Sequence, residues 1–259
     1  MPASMAEDRG TAGTLKGRLA DVYVQALVDG ALPALSRRLG NRATIDDPLF
    51  GRASTLSSID PLIEKVANHF KERRATYRHV ASATGIDRDV SEGLLVMSTG
   101  TEPAEIPIAV VAERRRLREI ELRVYYATGS EHRRPRARLL NGETDVAIPQ
   151  IVAHVLEALR KGAVERVLAA FEESSRFVDP NGKHHAKRDG SMASFVSGAR
   201  LDLVPAGAAD DGRTCCIEAA LVRQHRLGLG PDAEPEPAAM SFERGDSGLL
   251  RELRLYYEP

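Results

Sequence analysis

Leu122-Arg123-Val124-Tyr125-Tyr126 returns 131 residues later as Leu253-Arg254-Leu255-Tyr256-Tyr257. Earlier landmarks keep nearly the same step. Asp47-Pro48 returns as Asp179-Pro180, Ala26-Leu27 and Gly30-Ala31 return as Ala158-Leu159 and Gly162-Ala163, and Glu102-Pro103 returns as Glu234-Pro235, each at an offset of 132. Solenoid units run roughly 20–50 residues and cannot bury a face alone. A period this long instead leaves each copy enough chain for its own core. The sequence therefore reads as a tandem duplication: residues 1–14 a disordered tail, 15–128 a first domain, 129–146 a linker and 147–259 a second domain.

Composition agrees with two ordinary globular domains, since the 259 residues are 42% hydrophobic and 28% charged. The net charge of -1 gives no electrostatic footprint for nucleic acid or an anionic membrane, and the basic runs Arg114-Arg115-Arg116 and His132 to Arg138 are local. No run of about 18 apolar residues is present, so no membrane span is expected. Cys215 and Cys216 are adjacent, which suits neither a disulfide framework nor a metal knuckle; reduced thiols point to the cytoplasm.

In the first copy, Leu15, Leu19, Val22, Tyr23, Ala26 and Leu27 have the three- and four-residue spacing of an amphipathic helix that ends near Gly30. Leu32, Leu35 and Leu39 predict a second short helix, and Arg42 to Asp46 a strand closed by a turn at Asp47-Pro48 and Gly51. Asp60-Pro61 reads as the cap and first turn of a third helix carrying Leu62, Ile63, Val66, Ala67 and Phe70. Strands are expected at Tyr77 to Thr84, Leu94 to Ser98, Ile106 to Ala112 and Leu117 to Tyr126; in the last, Ile120, Leu122, Val124 and Tyr126 share one face.

The second copy repeats this order. Ile151 to Leu159 and Val164 to Phe171 give helical stripes, and Met192, Phe195 and Val196 a shorter third helix. Strands follow at Ala199 to Val204, Thr214 to Gln224, Ala239 to Glu243 and Leu249 to Tyr257. The expected class is α+β: in each of two tandem units, three N-terminal helices pack on a curved antiparallel sheet. Arg123 and Arg254 alternate away from the inward face and read as solvent or interface charges. His184-His185 reads as part of a turn, and the histidines as surface or satisfied groups without metal-ligand spacing, so no metal is expected.

The run Asp21-Val22-Tyr23 through Leu27-Val28-Asp29-Gly30, followed by Arg42 to Pro48 and Gly51, resembles the ketosteroid isomerase branch of the NTF2-like (SnoaL-like) superfamily. The strand Ile120 to Tyr126 resembles that family's last core strand. The resemblance covers residues 15–127 and, more weakly, 147–257. It implies two tandem cone-shaped α+β half-barrels, each with an apolar pocket at its open end, and no cofactor. It also implies a general base at Asp47 and a hydrogen-bond donor to a developing oxyanion at Tyr23, 24 residues earlier. Phe50, Ile63, Val110 and Tyr126 would line the pocket; Asp179 and Tyr257 are the second copy's equivalents. The family's pocket acid falls near Val110, so that acid is missing here, which argues against efficient steroid isomerisation. Val155 stands where Tyr23 would recur.

Chemically the pair is sensible, because a carboxylate in a dry pocket is a stronger base than in water and a phenol can stabilise an oxyanion. The leading expectation is a cofactor-independent isomerase or cyclase acting on an apolar carbonyl or polyketide-like small molecule. Three others stand beside it: a non-catalytic small-molecule binder, a structural pseudo-dimer formed by intramolecular domain pairing (as monomer or homodimer), and an epoxide-opening cyclase or hydrolase pairing Glu64 with Asp47. Set against all the catalytic readings, an Asp before Pro also closes turns by accepting backbone N–H bonds.

Overall fold

The computed structural model describes residues 15–98, 103–115, 119–128, 146–199, 201–223 and 235–258. The expected tail, all but one residue of the expected linker, Glu102, Leu117, His225 and Glu234 lie outside them.

Helix α1 (Leu19–Val28) buries Leu19, Ala20, Tyr23, Val24, Ala26 and Leu27. It begins one turn later than Leu15 because Gly17 adopts φ +109°, which interrupts helical backbone. Helix α2 (Leu32–Leu39) follows the turn at Gly30, and a hairpin of β1 (Ala43–Asp47) and β2 (Gly51–Ala53) leads to α3 (Leu56–Glu72). Here the sequence expectation is corrected. Thr55, not Asp60, opens the helix, because the Thr55 N–H donates to Ser58 Oγ at 3.1 Å in a capping box. Pro61 then lies inside the helix, and Asp60 accepts from Ser36 Oγ at 2.6 Å.

Strands β3 (Thr76–Thr84), β4 (Arg88–Ser98), β5 (Pro103–Arg114) and β6 (Ile120–Tyr126) complete a six-stranded sheet in the order β2-β1-β6-β5-β4-β3. Strand β4 starts six residues before Leu94 because the charged stretch Arg88 to Glu92 is buried rather than solvated. The sheet is mixed, not purely antiparallel: β1 runs parallel to β6. Helix α3 follows the hairpin, in the order expected from the sequence. A core of Tyr23, Leu27, Ile45, Ile63, Val66, Phe70, Ile108, Val110, Val124 and Tyr126, among others, fills the space between helices and sheet.

The second half repeats this plan with α4 (Gln150–Arg160), α5 (Val164–Ala169), β7 (Phe171–Val178), β8 (His184–Ala186), α6 (Ser191–Ala199), β9 (Leu201–Asp210), β10 (Thr214–Arg223), β11 (Glu236–Arg244) and β12 (Leu250–Tyr256). Its sheet order is β8-β7-β12-β11-β10-β9, with β7 parallel to β12. Phe171, expected on a helix, starts β7, and His184-His185, expected in a turn, forms β8. In both cases long-range pairing overrides the local pattern.

Glycine is required within the first sheet at Gly93, where a Cβ would lie 2.1 Å from the Tyr77 ring packed across it. Gly93→Ala is expected to destabilise the protein by about 1–3 kcal/mol through overpacking, read as a lower urea midpoint. An unchanged midpoint would show that the Tyr77 ring moves aside without cost.

The outer faces of the two sheets meet. Ala83, Val90, Ala109, Val111 and Tyr125 pack with Ala209, Cys216, Ala239 and Tyr256, and the small alanine and cysteine side chains allow close approach. Two buried charge networks cross this seam reciprocally. Arg123 donates to Glu218 through Nε at 2.6 Å and Nη2 at 2.7 Å, and the Tyr125 hydroxyl donates to the same carboxylate at 2.6 Å. In return Arg254 donates to Glu92 at 2.8 and 3.2 Å, joined by Tyr256 at 2.6 Å and Ser241 at 2.7 Å. Glu92 and Glu218 are 0% and 2% exposed, so each depends on its partners for solvation.

Burial opposes ionisation of Glu92 and Glu218, but Arg254 and Arg123 respectively outweigh it and hold both carboxyls below the ordinary range. Glu113, also buried but beside Arg123 and Arg88, is lowered to about 2. Carboxyls lowered in the folded state stabilise it fully above their unfolded range, near 4.3. That stabilisation is lost as pH falls through the folded values. Thermal midpoints are therefore expected to fall steadily as pH drops from about 5 towards 2; a flat profile would mean that the seam carries no linked charge.

Candidate functional site

Asp47 closes β1, and its Oδ1 accepts the backbone N–H groups of Leu49 and Phe50, each at 2.9 Å. The turn-closing role open to an Asp before Pro is therefore realised. The same oxygen also accepts the Tyr126 hydroxyl at 3.2 Å. Tyr126, read from sequence as a pocket wall, thus reaches the carboxylate directly from the end of β6. Asp47 is 2% exposed and Tyr126 3%.

Tyr23 projects from α1 into the same interior and is 1% exposed, and its hydroxyl has no hydrogen-bond partner among the described residues. Burial first, and then the nearby Asp47 charge, push its phenol well above the ordinary value. The phenol is therefore a neutral donor at physiological pH, lying within the field of the carboxylate. An unsatisfied buried hydroxyl costs roughly 1–3 kcal/mol, so its presence in an apolar core calls for an explanation.

The remaining sequence candidates separate. Ile63 and Val110 join Tyr23 and Tyr126 in the first core, with Val110 opposite Val124. Phe50 packs on that core and lies edge-on to His69, ring centroids 5.4 Å apart. Glu64 is exposed on α3, so it does not share the interior with Asp47. In the second half, Asp179 Oδ1 accepts the N–H groups of Asn181 and Lys183, both at 3.0 Å, while Tyr257 is half-buried against the second core. The partner of Asp179 Oδ2 is His185 Nε2 at 3.0 Å. His185 is thus paired with the aspartate through one ring nitrogen, and it sits on β8 rather than in a turn.

The clefts bordered by described residues include two that are lined by neither Asp47 nor Tyr23. One, of about 440 Å³, lies between α1 and β3. Along it Arg18 and Ser82 both donate to Asp21, at 2.8 and 2.6 Å, and His79 Nε2 lies 2.8 Å from Ser82 Oγ. A β-bulge between His79 and Ala81 puts His79 and Ser82 on the same side of β3, which strict alternation could not foretell. The other, of about 370 Å³, is lined by Arg42, Arg52, Arg115, Glu119 and Glu121, with Glu121 neutralising Arg52 and Arg115 at 3.4 and 2.7 Å.

Fold and interior together define a tandem pair of α+β units whose first interior holds a carboxylate and two phenols. No protein-family model and no curated protein matches the chain. Solved structures similar to it include an NTF2-like protein of unknown function from Cytophaga hutchinsonii ATCC 33406 (14% identity, TM-score 0.36, covering 46% of this chain and 96% of that one). They also include the epoxide hydrolase/cyclase-like enzyme SalBIII of pyran ring formation in polyether salinomycin (16%, TM-score 0.35, covering 42% of this chain and 88% of that one). The orange carotenoid protein of Anabaena (Nostoc) sp. PCC 7120, solved with canthaxanthin, is a third (15%, TM-score 0.36, covering 46% of this chain and 38% of that one). The activity or ligand named for each is its own.

Proposed function

We propose that the first unit is a cofactor-independent proton-transfer enzyme, of isomerase or cyclase type, acting on an apolar carbonyl or polyketide-like small molecule. Asp47 takes the proton and Tyr23 donates to the oxygen on which negative charge develops. The observation that carries this reading is the Tyr23 hydroxyl, buried with no hydrogen-bond partner among the described residues and within the field of the buried Asp47 carboxylate. A substrate oxygen placed there would satisfy it. Tyr126 holds the Asp47 carboxylate in place through Oδ1.

The test uses 5-nitrobenzisoxazole, a flat apolar carbon acid. Removing its C–H proton breaks the N–O bond and leaves a coloured nitrophenolate carrying a nitrile. Tyr23→Phe is expected to lower turnover by about 10²–10³-fold, the usual value of one oxyanion donor. The same change deletes an unsatisfied buried hydroxyl, so thermal stability is expected to stay level or rise by about 1 kcal/mol. Equal turnover by both proteins would sink the reading; loss of both turnover and stability would make Tyr23 a packing residue.

A second reading is a structural pseudo-dimer, favoured by the reciprocal Arg–Glu–Tyr networks across the sheet seam. It is compatible with the first, because the seam lies on the sheet faces opposite the interiors.

A further inference from the structure

The second unit carries its own titratable pair in a different place. Asp179 and Asp47 both close the first strand of their units and both accept two backbone N–H groups through Oδ1. In the first unit the hairpin pairs Ile45 with Ala53; in the second it pairs Phe177 with His185. His185 therefore stands where Ala53 belongs to the first core, and its ring enters the second interior. Val155 has replaced the Tyr23 phenol, and an imidazole has been added on β8.

The geometry orients that imidazole. A carboxylate can only accept, so the 3.0 Å contact from Nε2 to Asp179 Oδ2 puts an N–H on Nε2, and in the neutral ring the lone pair is then on Nδ1. Among the described residues no group is hydrogen-bonded to Nδ1. The ring lies 4.6 Å from Phe195 at 33°, and Phe177 stands 6.2 Å from Phe195, edge to face. An aspartate anchored by backbone, an imidazole anchored by the aspartate and two aromatic walls make a base with an apolar, flat surround. Of the other charges, Asp189 faces the ring electrostatically, whereas Lys187 is turned to the Phe171 carbonyl at 2.8 Å and to Glu173.

We propose that Asp179 and His185 form a second proton-accepting site, in the second unit, for flat apolar molecules bearing an acidic O–H, such as phenols and enols. On binding, the O–H bond breaks, its electron pair stays on oxygen, and the proton forms a new N–H bond at Nδ1. Asp179 stabilises the resulting imidazolium beside the bound oxyanion. This site does not depend on the Asp47 chemistry.

The probe is 4-nitrophenol, whose anion absorbs near 400 nm and which is mostly un-ionised in free solution at about pH 6.5, within the range where imidazoles exchange protons. The full chain is expected to produce a saturable phenolate band at that pH. The band should persist in Asp47→Asn, vanish in His185→Gln and weaken at least tenfold in affinity in Asp179→Asn. Thermal melts of the variants separate loss of the site from loss of the fold, and His185→Phe, which fills the same space on the aromatic cluster, serves as a second folded control without a base. No saturable band in the native chain, or an equal band in folded His185→Gln or His185→Phe, would overturn the proposal. Loss of the band in Asp47→Asn alone would assign the signal to the first unit and overturn it equally.

Discussion

Glu218→Ala is expected to cost about 3–5 kcal/mol, the usual penalty for removing one partner of a buried ion pair. For a chain of this size that lowers the thermal midpoint by roughly 6–20 °C. The mutation leaves Arg123, 4% exposed, with Glu113 and Glu121 of its own sheet among the described residues, and removes the carboxylate to which the Tyr125 hydroxyl donates at 2.6 Å. Glu218→Gln should cost less, because the amide oxygen still accepts from Tyr125. The triple change Glu218→Leu, Arg123→Met, Tyr125→Phe should recover most of the loss, since the attraction between buried charges barely repays their desolvation. A midpoint unmoved by Glu218→Ala would mean that the two sheets do not hold this seam in solution.

Asp47→Asn is the second large effect. Its amide oxygen can still accept the Leu49 and Phe50 N–H groups, so the turn and the fold should survive with little change in melting. What is lost is the base, worth about 10²–10⁴-fold in a proton-transfer step. Turnover of 5-nitrobenzisoxazole, measured in a His185→Gln background so that no second base contributes, is expected to fall by that factor. Unchanged turnover would reduce Asp47 to its turn-closing role and remove the proposed chemistry from the first unit.

Much of this architecture was legible in the sequence because it rests on periodic burial. The repeat of Leu122 to Tyr126 at Leu253 to Tyr257, the apolar stripe of α1 and the Asp-Pro turns all depend on contacts that local pattern records. What was missed depends on distant partners. Glu92 and Glu218 look like solvent charges until the second sheet covers them, and their clue was an arginine repeated among the apolar residues of Leu122 to Tyr126 and Leu253 to Tyr257. Asp47 and Tyr23 could be paired by spacing and resemblance, but the Tyr126 bond to Asp47 comes from a strand 79 residues away. His185 escaped for another reason: β8 has three residues, too few for alternation to declare itself.

The seam between the sheets is joined within one chain, so its halves meet at an effective concentration set by the connecting segment rather than by how much protein is present. In a dimer of identical subunits every substitution appears on both sides of the axis. Here it appears once. Arg88 can press its guanidinium where a Cβ at Gly207 would stand, 1.4 Å from Nη1, while the corresponding place in the other half has Thr214 and Ala81. One half can therefore carry phenols around its aspartate and the other an imidazole, with neither change imposed on its twin.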